Sequence, residues 1–189
     1  NVKGAIAKGQ AQITSDRATV ESIKTGKAGR NEVRDVTLRN VSATYESIKG
    51  KGQWTFSSPV ALARSGVAGE IQFTDARASK LSGTLIDGRA QFTSDQASAK
   101  RLKAGQSEFN EITARDLNTA FVGSGANKGE WTFSISQAQA RSGVAMGTEL
   151  TDASVSNVKG SVVDGRAEIT SDQATVERAR TRTVPGAVA

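Results

Sequence analysis

The chain has 189 residues, 37% of them apolar, a net charge of +6, and neither cysteine nor histidine. That excludes a disulfide framework, thiolate chemistry, imidazole metal sites and a Ser-His catalytic pair. Nineteen glycines against two prolines argue against collagen and Pro-rich disorder.

Along the chain, apolar residues recur at alternate positions, break for two or three polar residues, and resume. Ala11 and Ile13 lead to Ala18 and Val20; Val36 and Leu38 lead to Val41, Ala43 and Tyr45. Ile71 and Phe73 precede Ala76 and Ala78, Ala90 and Phe92 precede Ala97 and Ala99, and Trp131 and Phe133 precede Ala138 and Ala140. Alternation with period two predicts strands with one buried face, and the polar break predicts a corner that returns the next strand to the same interior. Glu108 to Phe121 comes nearest to a helical pattern, but its β-branched, Asn and Thr content disfavours helix. No apolar run approaches the roughly 20 residues of a membrane helix.

Self-comparison gives the organisation. Trp54-Thr55-Phe56-Ser57 returns as Trp131-Thr132-Phe133-Ser134, and Gly88 to Ala97 returns as Gly165 to Ala174, both after 77 residues. Residues 53–99 align with 130–176 without a gap, and about half the positions are identical. The expected fold is all-β: an elongated tandem-repeat β-solenoid, or a folded β-taco or jellyroll. It would hold about nine short two-strand rungs, four per unit, stacked into a rod roughly 40 Å long. Residues 1–177 form this array of about 2.5 units. Residues 178–189 read as a basic tail or linker, because Arg178, Arg180 and Arg182 precede Pro185. Asn1-Val2-Lys3-Gly4 shows no signal-peptide pattern and reads as a processed end or a cut within a longer repeat protein.

Few motifs carry chemistry. Thr14-Ser15-Asp16, Thr93-Ser94-Asp95 and Thr170-Ser171-Asp172 offer one carboxylate each, too few to converge on calcium, and read as Asx or ST turns at corners. Trp54 and Trp131 open Trp-x-Phe pairs and read as core strands rather than as an exposed stacking platform. Gly123 to Gly129 lacks the Gly-Lys-Ser/Thr ending of a phosphate loop and reads as a surface loop. Asp87 with Asp95 is the pair of carboxylates best placed for acid-base work, yet both fall at predicted turns. No catalytic residue, cofactor or metal is expected. The basic charge is spread along the chain and suits a solvated surface; it permits an anionic polysaccharide or lipid but points to no specific nucleic acid.

The rung Gln91-Phe92-Thr93-Ser94-Asp95-Gln96-Ala97-Ser98-Ala99-Lys100 resembles those of OstA-like lipopolysaccharide-transport proteins and of AsmA-like or TamB-like envelope proteins. The resemblance implies a folded β-sheet with an apolar groove that carries lipid in the bacterial envelope. Two functions follow as expectations. The first is a non-enzymatic structural module of a bacterial surface, envelope or extracellular fibre protein. It would associate with itself head to tail through edges at Ala11, Ile13, Ala167 and Ile169. The alternative is a periplasmic lipid conduit lined by Ile13, Phe73, Phe92, Leu102, Phe133 and Ile169.

Overall fold

A computed structural model describes residues 2–7, 10–25, 31–48, 51–123, 129–163 and 166–181. Among these residues there is no helix. The strands are β1 (Val2–Ala7), β2 (Gln10–Thr25), β3 (Asn31–Ile48), β4 (Lys51–Ala68), β5 (Ile71–Ile86), β6 (Arg89–Ala104), β7 (Ser107–Val122), β8 (Glu130–Ala145), β9 (Thr148–Val163), β10 (Arg166–Thr170) and β11 (Gln173–Thr181). They form one antiparallel sheet in sequence order, not closed into a barrel. β10 and β11 both pair with β9 and occupy one strand position broken at Ser171-Asp172. Two-residue turns join several neighbours. Asp87-Gly88 and Met146-Gly147 take positive φ at both positions, as type I′ hairpins require.

The 77-residue offset equals four strands: Trp54 lies in β4 and Trp131 in β8, while Arg89 opens β6 and Arg166 opens β10. The structure realises the folded-sheet form of the expected fold. Its chain advances by hairpins instead of winding as a solenoid, and each rung is one strand of 16–18 residues rather than two short ones.

Each long strand bends at two corners. On β3, β5, β7 and β9 the corners fall on pairs of left-handed residues five positions apart: Asp35 and Asn40, Asp75 and Lys80, Glu111 and Asp116, Asp152 and Asn157. Asp and Asn tolerate this conformation best among residues with a side chain. The alternation of faces skips at each corner. In β5 the inward set is Ile71 and Phe73, then Ala76 and Ala78, then Leu81 and Gly83; the exposed residues Asp75 and Lys80 occupy the corners. Pro59 is tolerated mid-sheet because it sits at a corner, opposite Lys80, where the ladder is interrupted on both sides.

The register aligns inward residues in columns across the sheet. The middle columns are small: Ala61, Ala78, Ala97, Ala114 and Ala138 succeed one another from β4 to β8. The bulky residues lie toward the strand ends. The chain exposes 12601 Å², against about 8,600 Å² for a compact protein of its mass. A single layer accounts for the difference: among the described residues only Ala61, Ala114, Val158 and Val162 are buried apolar side chains.

One boundary needs correction. Residues 178–181 are not tail: β11 runs to Thr181, and Arg178, Ala179, Arg180 and Thr181 pair with Thr151, Leu150, Glu149 and Thr148. The rung pattern simply continues past its corner there, and Pro185 lies outside the described residues, as do 182–189. The Ser124–Lys128 part of the glycine-rich loop lies outside them too; Gly129 N–H donates to the Val122 carbonyl at 2.6 Å where the loop closes.

Candidate functional site

Three features stand out: the inner apolar face, the corner rows and the open edges. On the inner face the six residues expected to line a groove fall on the same side of the sheet. Ile13, Phe92, Phe133 and Ile169 share one column, in β2, β6, β8 and β10; Phe73 and Leu102 are direct partners in another. Glycines interleave with the rings. Phe56 and Phe92 flank Gly83 in their column, and their ring centroids meet at 5.6 Å. A Cβ on Gly83 would lie 2.5 Å from the Phe56 ring, and one on Gly66 would lie 2.2 Å from that of Phe73. The aromatic therefore spreads over a neighbour that has no side chain, which covers backbone in a sheet with no second layer.

Trp54 and Trp131 lie on this face, as their i, i+2 spacing with Phe56 and Phe133 requires. Trp54 packs on Tyr45 at 5.2 Å and Trp131 on Phe121 at 4.9 Å. Trp54 is nonetheless 37% exposed, because it stands near the strand end, at the rim of the face.

The corners explain the Thr-Ser-Asp motif. Ser94 is 3% exposed, and its Oγ lies 2.7 Å from the Ser79 carbonyl and 2.9 Å from the Gln96 carbonyl. Ser58 repeats the arrangement with the carbonyls of Arg39 and Val60 at 2.7 and 2.8 Å. One hydroxyl hydrogen is shared between two carbonyls at the corner, so the motif satisfies corner backbone as the sequence indicates, but by donating to the i+2 and cross-strand carbonyls rather than by accepting an N–H as an ST turn does. The following Asp95 accepts from Lys80 at 2.6 Å, a contact that raises the lysine pKa. Asp87 sits at a hairpin tip, 2.6 Å from Lys51. The two carboxylates singled out in the sequence thus occupy separate turns, each against its own lysine.

The second corner row was not legible in the sequence. The register sets Asp35, Arg64, Asp75, Lys100, Glu111, Arg141 and Asp152 side by side from β3 to β9, with alternating charge. Arg64 reaches Asp35 at 3.2 Å and Arg141 reaches Glu111 at 2.8 Å. The hydrogen bond to Glu111, with Asp152 as a more distant contributor, raises the Arg141 pKa. Charge that looks diffuse along the chain becomes a ladder once strands are paired, because cations on even strands fall between acids on odd ones.

The sheet edges differ from expectation at one end. Ala11 and Ile13 are not at an edge, since β1 pairs with them through Ile6 and Gly4. The described edge there is β1, followed by the stretch Arg17–Thr25 of β2, which pairs only with β3 among the described residues. At the other end Ala167 and Ile169 lie on the edge strand: among the described residues β10 pairs only with β9. No group of three or more potential metal ligands occurs among the described residues, and no helix there is long and apolar enough to cross a membrane.

Comparison with protein-family models, with curated proteins and with solved structures gave no match.

Proposed function

We propose that this chain is a non-enzymatic structural and interaction module: a stretch of folded β-sheet that lengthens by edge pairing, head to tail, within a bacterial envelope, surface or extracellular fibre protein. One observation carries the reading. An open sheet with a four-strand repeat ends on strands whose outer N–H and C=O groups have no partner among the described residues. Each intermolecular backbone pair contributes roughly 1 kcal/mol net, and a long unprotected edge is a template for another strand. The test is sedimentation velocity from micromolar to millimolar protein. Association should rise with concentration, and Ile169→Lys, which sets a charge on the edge strand, should hold the protein monomeric. A wild-type protein that stays monomeric throughout would refute the reading.

A second reading is favoured by the shared face of Ile13, Phe73, Phe92, Leu102, Phe133 and Ile169. Ile13 and Ile169 are 40% and 51% exposed, and a contiguous half-open apolar face is a binding surface for apolar ligands. On this reading the inner face holds acyl chains in the periplasm. Native mass spectrometry of protein purified from a Gram-negative host should then show bound lipid, lost on Phe92→Asp.

A further inference from the structure

The two arms of the folded sheet carry different outer faces. On the arm whose inner side holds Phe56 and Phe92, the outward side chains line up in two adjacent rows across seven strands, from Thr14 in β2 to Ser134 in β8 and from Gln12 to Thr132. Of these fourteen residues ten are serine or threonine, three are asparagine or glutamine, one is Ala120, and none is charged or buried. On the other arm the equivalent rows, from Ser22 to Ser142 and from Lys24 to Val144, hold six charges in fourteen positions: Lys24, Glu32, Arg34, Arg101, Lys103 and Glu108. Strand propensity favours threonine on both arms alike, so it does not account for the contrast. Charge returns at the margins of the neutral face, with Lys3 beside Thr14 and Lys159 beside Ser134.

We propose that this neutral face binds the ordered water of an ice surface. The inference goes beyond edge pairing, since it uses a face of the sheet rather than an edge. The hydroxyls repeat in two directions, about 4.8 Å from strand to strand and about 6.8 Å between alternate residues along a strand. Ser42, Ser57 and Ser82 stand beside Thr44, Thr55 and Thr84 in that pattern. The oxygens of ice repeat on the same scale, and only a partner with a repeat of its own gains from a regular array. Members of a row also hold one another: the Ser82 and Thr93 hydroxyls lie 2.7 Å apart. An ammonium group would keep its own strong hydration on such a surface, and neither ammonium nor carboxylate occurs in the two rows. A sugar lattice would call for aromatic rings against its C–H faces, but all six phenylalanines, both tryptophans and Tyr45 point to the inner side.

The experiment grows ice slowly on a cold probe in a dilute solution of fluorescently labelled protein and compares the dye in the ice with the dye left in solution. Wild type should be enriched in the ice, from which an inert labelled protein is excluded, and should slow recrystallisation of a frozen film. Thr55→Lys, in the middle of the array, should lose both effects, and Thr84→Lys should repeat that loss one strand over. Thr55→Ser keeps the hydroxyl and should keep both effects. Ser142→Lys sets the same charge on the charged arm and should change neither. Circular dichroism and thermal melting select the variants that keep the wild-type fold. Wild type excluded from ice overturns the proposal, and so does an equal loss in Thr55→Lys and Ser142→Lys. Retention on crystalline cellulose with exclusion from ice would give the face to a sugar lattice instead. Dimers that Thr55→Lys dissolves, again with exclusion from ice, would give it to a second copy; either result overturns the proposal.

Discussion

Gly160→Ala is the sharpest test of the inner face. The added methyl would lie 2.4 Å from Cζ of Phe133 and 2.7 Å from the backbone oxygen of Glu168. The ring can swing aside, but the carbonyl belongs to the β9–β10 ladder and can move only with its strand. Overpacking of this kind costs about 1–3 kcal/mol. A domain of this length loses about 2–4 °C of Tm per kcal/mol, so a fall of roughly 2–12 °C is expected. The molecule holds its own control. Gly4 is the repeat equivalent of Gly160, yet its nearest neighbour is the Gln12 oxygen at 3.7 Å, an ordinary contact. Gly4→Ala should be neutral or slightly stabilising, since alanine has less chain entropy to lose in a strand. Thermal unfolding by circular dichroism compares the two. Equal melting temperatures would refute the interlocking of rings and glycines that this account gives the inner face.

Two further outcomes follow from the corners and the surface pairs. Ser94→Ala removes the donor at the Ser79 carbonyl, while the Gln96 carbonyl keeps the Ser79 hydroxyl at 3.3 Å, and should cost about 1–3 kcal/mol, measured by urea unfolding, whereas Ser98→Ala, away from the corner, should cost little. The Arg101 hydrogen bond holds the Glu108 carboxyl below its ordinary pKa of 4.5, and that of Arg34 does the same for Glu32. A depressed folded-state pKa gives stability that is present above the unfolded value and lost as pH falls through the folded one. Stability should therefore be flat above about pH 5 and decline below pH 4.5, with Glu108→Gln shallower than wild type; a steeper decline in the variant would contradict the assignment.

Much of the fold could be read from residues because period two and the corner skip are local signals. Ile71, Phe73, Ala76 and Ala78 spell one strand, one corner and the next segment without reference to any other part of the chain. The second corner was harder. After Ala78 the sequence Ser79-Lys80-Leu81-Ser82-Gly83 reads as a new rung, because Gly83 leaves a gap in the apolar pattern that only the neighbouring Phe56 and Phe92 fill. The alternating charge row is likewise invisible along the chain: Arg64 and Asp75 lie eleven positions apart and become neighbours only through the hairpin register. The sequence puts an edge at Ala11 and Ile13 because β1 is short and glycine-bearing, Val2-Lys3-Gly4-Ala5-Ile6-Ala7, with too little alternation to announce a strand. Arg178–Thr181 reads as tail in the sequence because three arginines in alternation look like a charged linker, whereas in β11 the intervening Ala179 pairs with Leu150 and continues its inward column.

The central proposal is that the folded sheet, open among the described residues, grows through its edges. Amide hydrogen exchange resolved by residue, at low and high protein concentration, tests it most directly. An edge strand bonds inward through alternate residues and leaves the others to water. At low concentration Arg17–Thr25 and β10–β11 should show alternating slow and fast amides, while β4 to β8 are protected throughout except at their corners. At high concentration the fast amides of those edges should slow. Uniform protection of the edges in dilute solution would mean a closed sheet, and edges that stay fast at every concentration would mean that nothing pairs with them; either result contradicts the account.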